Sequence, residues 1–138
     1  MRQQFHTVAL STRGPRLYDF TGDAAAFVRA SGIRDGLLTC FIRHTSASLL
    51  IQENADPNVQ RDLIAAFAKL APEGADYVHD DEGPDDMPSH IKSALTQVSL
   101  GVPVQEGRLA LGTWQGLYLF EHRTRPHRRE VLLHIVGE

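Results

Sequence analysis

The sequence predicts a single α+β domain over residues 1–138, with largely antiparallel or mixed β-sheets, about three helices and a C-terminal β-meander. Three observations carry that prediction. Residues 57–70 and 88–98 repeat apolar side chains at helical spacing. Strand signals stand before, between and after the helical stretches. From Val102 to Val136 the chain alternates through four strands with no helix between them, which disfavours a doubly wound βαβ sheet.

Phe5–Ser11 mixes β-branched and apolar residues and is read as the first strand, closed by a turn at Gly14-Pro15. Leu17–Phe20 is a short second strand. Thr21 is placed as the N-cap of a helix over Asp23–Ala30, with Asp23 favourable in its first turn and Gly32 ending it in the left-handed conformation. Gly36–Arg43 (GLLTCFIR) is too apolar for a half-exposed edge and is read as a central strand; Leu49–Gln52 forms another. Asp56-Pro57 opens a second helix, with Asp56 as the cap and Pro57 where a missing N–H costs nothing. Val59, Leu63, Ala66, Phe67 and Leu70 give that helix a core-facing stripe. Pro88 starts a third helix that turns Ile91, Ala94, Leu95 and Val98 inward. The final strands are Val102–Gln105, Arg108–Leu111, Gln115–Glu121 and Arg129–Val136, with Val131, Leu133 and Ile135 on one face of the last.

Composition sets limits on function. Apolar residues at 42% and charged residues at 22% indicate a globular chain. A formal charge of −3 argues against a nucleic-acid partner. The basic cluster Arg123, Arg125, His127, Arg128 and Arg129 is read as a solvated hairpin tip. Cys40 is the only cysteine, so no internal disulfide can form, and on its apolar strand it is expected to be an inert core thiol. The first residues lack a continuous apolar signal segment, and no apolar run approaches the ~20 residues of a membrane span. A cytoplasmic protein with no membrane partner is the expectation.

Reactive residues crowd into three stretches. In the first, His44 follows the apolar strand and is flanked by Thr45, Ser46 and Ser48, hydroxyls able to orient it. Downstream, Asp56 has a capping role, whereas Glu53 and Asn54 have no such structural account. The second stretch brackets an acidic run with His79 and His90, and Asp80 lies beside the first of them. Carboxylates so close repel unless solvated or neutralised by a cation. Imidazole with carboxylate suits zinc, manganese or iron(II), and carboxylate with water suits magnesium. Asp81, Glu82 and Asp85 are assigned to a solvated acidic loop. The third stretch sets Thr113-Trp114-Gln115 between Gly112 and Gly116, suggesting a close backbone approach or a bulge, with Trp114 packing. Gln115 and Glu121 lie six apart in one strand and therefore share a face. There is no GxSxG elbow, phosphate-binding P-loop or GxGxxG motif.

Together HTSASLLIQENADPNVQRDL (44–63), YVHDDEGPDDMPSHIKSAL (77–95) and SLGVPVQEGRLALGTWQGLYLFEHR (99–123) resemble the YjbQ-like family, small proteins often labelled secondary thiamine-phosphate synthases. The resemblance implies a compact α+β fold that assembles as a homotrimer, with a polar pocket close to subunit contacts. It implies a divalent metal ion, zinc or magnesium/manganese, on His44, His79 and His90, surrounded by Glu53, Asp56, Asp80, Gln115 and Glu121. The implied reaction joins a pyrimidine methyl diphosphate to a thiazole phosphate and releases pyrophosphate. Lys92, Arg108 and Arg129 are the candidates for holding the phosphates of such a small metabolite. The usual catalyst of that reaction is a TIM barrel, for which this chain is far too short. Two other readings stay open: a non-catalytic module that binds a metal or phosphometabolite, and a metal-assisted hydrolase or lyase of a phosphorylated metabolite, with Glu53 or Asp80 polarising water.

Overall fold

A computed structural model describes all of residues 1–138. Eight strands and three helices follow in the order β1 (Arg2–Arg13), β2 (Arg16–Asp19), α1 (Thr21–Ser31), β3 (Gly36–Ile42), β4 (Ala47–Glu53), α2 (Pro57–Leu70), α3 (Asp86–Leu95), β5 (Ser99–Gln105), β6 (Arg108–Leu109), β7 (Gln115–Glu121) and β8 (Pro126–Gly137). They form a five-stranded sheet, β1-β8-β3-β5-β6, and a three-stranded sheet, β2-β7-β4. Every pairing is antiparallel. The fold is therefore α+β, and β3 is central as its apolar sequence requires.

The expected C-terminal meander does not form. Only β5 and β6 pair in sequence order, while β7 crosses to the small sheet and β8 returns to lie between β1 and β3. Alternation told strand from helix correctly but carried no information about partners.

The inner faces of both sheets share one core with α1. Leu38, Cys40 and Ile42 of β3, Leu117 and Leu119 of β7, and Val131, Leu133 and Ile135 of β8 are all buried there, beside Ala24 and Val28. Burial pushes the Cys40 thiol up to about 12, so it is inert as expected. On the other face of the small sheet, Leu17, Tyr118 and Phe120 meet Ile64 and Phe67 of α2. That cover is thin. No residue of α2 is fully buried and Leu70 is 65% exposed, so the predicted stripe reaches the core only in part.

Helix caps divide. Asp56 caps α2 by accepting the Asn58 N–H at 2.9 Å, with Pro57 at the first position. Gly32 ends α1 at φ 71°. Thr21 is not a cap: α1 begins with it, the Asp19 carboxylate takes its N–H, and its hydroxyl accepts the Leu117 N–H at 2.8 Å. The largest departure is α3, which starts at Asp86 and buries Asp86, Ser89 and Ser93, while Ala94, Leu95 and Val98 face outward. Its polar face is turned in because β4 and its approach supply partners: Ser93 donates to the Ala47 carbonyl and Thr96 to the Ser48 hydroxyl.

β3 and β8 approach so closely at one end that Gly36 and Gly137 stand opposite one another. A Cβ on Gly36 would overlap the Val136 carbonyl oxygen, a backbone atom that cannot rotate away. Gly36→Ala is expected to lower stability by about 3 kcal/mol or more in chemical denaturation. A loss below about 1 kcal/mol would mean that the two strands separate there without penalty.

Candidate metal centre

The chemistry-bearing residues gather at the end of β7 and the start of α3. Glu121, fully buried at the last position of β7, meets the Arg129 guanidinium of β8 through two contacts, Nε to Oε1 at 2.8 Å and Nη2 to Oε2 at 2.6 Å. Thr12 of β1 donates to Oε1 at 2.6 Å, and the His122 and Arg123 N–H groups donate to Oε2. Burial alone would raise this carboxyl; the bonds from Arg129 and Thr12 hold it below the ordinary range. Arg129 also reaches Ser46 and, at 3.4 Å, Nδ1 of His44.

This arrangement revises three expectations. Glu121 is committed to a buried ion pair and is not a free base. Arg129 is its partner and is not available to a phosphate. His44 accepts the Glu130 N–H on Nε2 at 3.2 Å, and burial followed by the Arg129 charge lowers its pKa, keeping it neutral. It stands outside the donor cluster formed by the other two histidines.

That cluster is His79, Asp86 and His90. The Nε2 atoms of His79 and His90 lie 2.7 Å and 3.1 Å from one oxygen, Oδ2 of Asp86. Asp86 and His90 are four residues apart on α3 and so share a helix face. Oδ1 of Asp86 is taken by Nη1 of Arg123 at 2.7 Å, and Arg123 also binds Asp85 through Nε at 2.9 Å. Asp85 is thus buried against Arg123 and Thr124, its carboxyl held at about 2 despite burial, and does not belong to a solvated loop. Arg123 and Arg129 likewise leave the supposed hairpin tip.

The tautomer of His90 follows from its other nitrogen. Nδ1 lies 2.8 Å from the Thr45 carbonyl oxygen, which can only accept, so Nδ1 carries the proton. Neutral His90 then aims a lone pair at a carboxylate that already faces His79. With the Nδ1 proton committed to Thr45, the close approach of Nε2 of His90 to Asp86 is stable only with a second proton on that ring or a cation between them. Consistent with this, the hydrogen bond to Asp86 raises the His79 pKa. A divalent ion fits the donors: two imidazoles and a carboxylate whose outer oxygen and outer ring nitrogen are oriented by Arg123 and Thr45. Glu82 lies 3.0 Å from His79 and is a fourth donor within reach.

Beside the cluster a hollow of about 380 Å3 is lined by Tyr77, His79, Asp80, Met87 and Pro88, among others. Asp80 is exposed on its wall. Glu53 does not reach this place; its carboxylate accepts the N–H groups of Ala55 and Asp56 and shapes the turn into α2. Gln115, at the far end of β7 from Glu121, is exposed and accepts the Gly112 N–H at 2.8 Å, so the shared strand face does not make a shared site. Trp114 is 63% exposed and does not pack. Lys92 is half-buried beside Asp85 and Glu73, with its pKa lowered by burial, and Arg108 lies on the β5–β6 hairpin. The three proposed phosphate-holding cations therefore do not converge.

Sequence reading missed Asp86 and Arg123, the two residues that organise the centre. The four-residue spacing of Asp86 and His90 on a helix was the available signal. It also missed His122, whose Nε2 lies 2.9 Å from the buried Ser48 hydroxyl and whose pKa burial pushes down to about 3.

A buried charge left without its partner is costly, so Glu121→Ala and Arg129→Ala are each expected to destabilise by about 3–5 kcal/mol, with the double variant losing much less than the sum. Additive losses in urea denaturation would show that the pair is not coupled.

The chain matches the family model described as UPF0047 protein YjbQ-like over residues 6–138. It is 54% identical over 138 residues to a UPF0047 protein of Synechocystis, covering 99% of this chain and 94% of that one. It is 51% identical over 106 residues to the UPF0047 protein YjbQ of Salmonella typhimurium, covering 77% of each. Among solved structures, an uncharacterised YjbQ/UPF0047 protein of Clostridium acetobutylicum superposes with a TM-score of 0.88 at 35% identity, covering 95% of this chain and 99% of that one. Through the matched sequence and the shared fold, this chain belongs to the YjbQ-like UPF0047 family.

Proposed function

We propose that the protein is a divalent-metal-dependent enzyme acting on a small phosphorylated metabolite, with His79, Asp86 and His90 as its metal ligands. The observation that carries this reading is the approach of two imidazole Nε2 atoms to a single Asp86 oxygen while Nδ1 of His90 is held by a backbone carbonyl. A bound divalent ion supplies charge neutralisation for a departing phosphate or diphosphate. The chain supplies the rest. Arg123 holds Asp86 in orientation, Thr45 fixes the tautomer of His90, and Asp80 offers an acceptor on the wall of the adjoining hollow.

The reaction favoured is the thiamine-phosphate synthase type, in which a pyrimidine methyl diphosphate is joined to a thiazole phosphate and pyrophosphate leaves. The family resemblance supports it, as does a cluster of imidazole and carboxylate donors beside an exposed acceptor, Asp80. Assembly as a homotrimer belongs to the same proposal. The outer face of the five-stranded sheet, with Phe5, Leu37 and Phe41 exposed, and the outward apolar side of α3 support it. No helix is long and apolar enough to cross a membrane.

Zinc titration by calorimetry tests the ligand set. The native chain is expected to bind one equivalent; His79→Ala, Asp86→Ala and His90→Ala should each weaken binding by more than about 100-fold, Arg123→Ala by about 10–100-fold, and His44→Ala hardly at all. Because the ligands must be neutral imidazoles and the His79 pKa is raised, affinity should be full above its raised pKa and fall as pH drops through it. Metal-dependent pyrophosphate release in a single turnover, abolished by chelation and by His90→Ala, is the expected catalytic result. Tight metal binding with no product would replace this reading with a non-catalytic binding module.

A further inference from the structure

We propose that the groove between α1 and the β5–β6 hairpin is a second binding site, for a small molecule that carries a phosphate and an apolar body. The groove encloses about 500 Å3 and is lined by Arg29 and Arg108, by Thr21 and Gln115, and by the apolar side chains of Leu109 and Leu111. A neighbouring hollow of about 310 Å3 shares both arginines and adds Arg34.

None of the three guanidinium groups makes a hydrogen bond or an ion pair. The Ser31 and Gly32 carbonyls at the end of α1 accept from Arg2 at 3.4 Å and 2.9 Å, and Gln4 also reaches Ser31. One oxygen of Asp35 takes the Glu106 N–H at 3.1 Å. Glu106, Asp35 and Glu138, whose main-chain oxygen accepts the Arg34 N–H at 2.7 Å, carry the carboxylates nearby, and none forms an ion pair with the arginines. In a chain of net charge −3, three arginines that form no ion pair gather positive charge on one concavity, with Glu106 on its rim. Guanidinium forks match phosphate oxygens in geometry as well as charge. Leu109 and Leu111 offer nothing to an inorganic ion but pack against an apolar body.

The hairpin holds Arg108 firmly. Its two-residue turn places Glu106 at φ 53° and Gly107 at φ 78°, as a type I′ turn requires, and the left-handed state is an unfavourable one for Glu106. Hydrogen bonds to the α1–β3 connection keep it there: the Glu106 N–H on Asp35 and the Gly107 N–H on the Arg34 carbonyl at 2.8 Å. Such local backbone constraint tends to collect at binding sites.

This groove is separate from the metal centre and does not depend on it. Arg34 precedes β3, whereas His44 and Thr45 follow it, and a seven-residue strand separates its ends by about 20 Å.

The test is a titration of the full chain with phenyl phosphate and with inorganic phosphate, followed by backbone amide NMR shifts. Phenyl phosphate is expected to perturb Gly107, Arg108 and Leu111 and to bind more tightly than inorganic phosphate. Arg29→Ala and Arg108→Ala, both exposed positions, should each weaken binding about tenfold, and raised salt should weaken it further. His90→Ala should leave it unchanged, which separates failure here from failure of the metal reading. Shifts absent from the hairpin at millimolar ligand, or arginine variants that bind like the native chain, would overturn the proposal.

Discussion

The buried pair between Glu121 and Arg129 is the interaction on which the remaining architecture depends. It joins the small sheet, through the last residue of β7, to the large sheet, through β8. Thr12 of β1 completes the carboxylate, and Ser46 and His44 on the β3–β4 connection close around the guanidinium. Burying two charges costs several kcal/mol per ion, and this is repaid only where every lone pair and proton is matched. Here the matching comes from four different segments, so the pair fixes how the sheets and the loop between them meet.

From that anchor the His79–Asp86–His90 cluster follows in order. Glu121 receives the N–H groups of His122 and Arg123, which sets the direction in which the chain leaves β7. Arg123 then grips Asp85 and Asp86 at the start of α3. With one Asp86 oxygen held by Arg123, the other is presented to His79 and His90. Burial would raise the Asp86 carboxyl, but the hydrogen bond from His79 and the charge of Arg123 hold it below the ordinary range, and so ionised. The inward polar face of α3 is the structural consequence of holding this carboxylate in place.

The parts of this that were legible in the sequence are those governed by local rules. The Asp56-Pro57 helix start, the Gly32 stop, the central position of β3 and the buried face of Val131, Leu133 and Ile135 all depend on neighbours within a turn or a strand. Of the three histidines expected in one site, His79 and His90 stand together and His44 stands apart. What could not be read depends on partners distant in the chain. Glu121 resembled a free acid because Arg129 and Thr12 meet it only in three dimensions, and Glu53 lost its candidacy to backbone N–H groups just beyond its own strand. Helix α3 misled for a related reason: hydrogen bonds to Ala47 and Ser48 outweigh the apolar stripe that periodicity alone would turn inward.

A divalent cation is proposed to sit on His79, Asp86 and His90, with His44 not bonded to it. Anomalous diffraction at the zinc edge, from crystals grown with zinc, tests it most directly. One principal peak is expected about 2.0–2.2 Å from Nε2 of His79, Nε2 of His90 and Oδ2 of Asp86. A principal peak bonded to His44, or none at the Asp86 carboxylate, would contradict it.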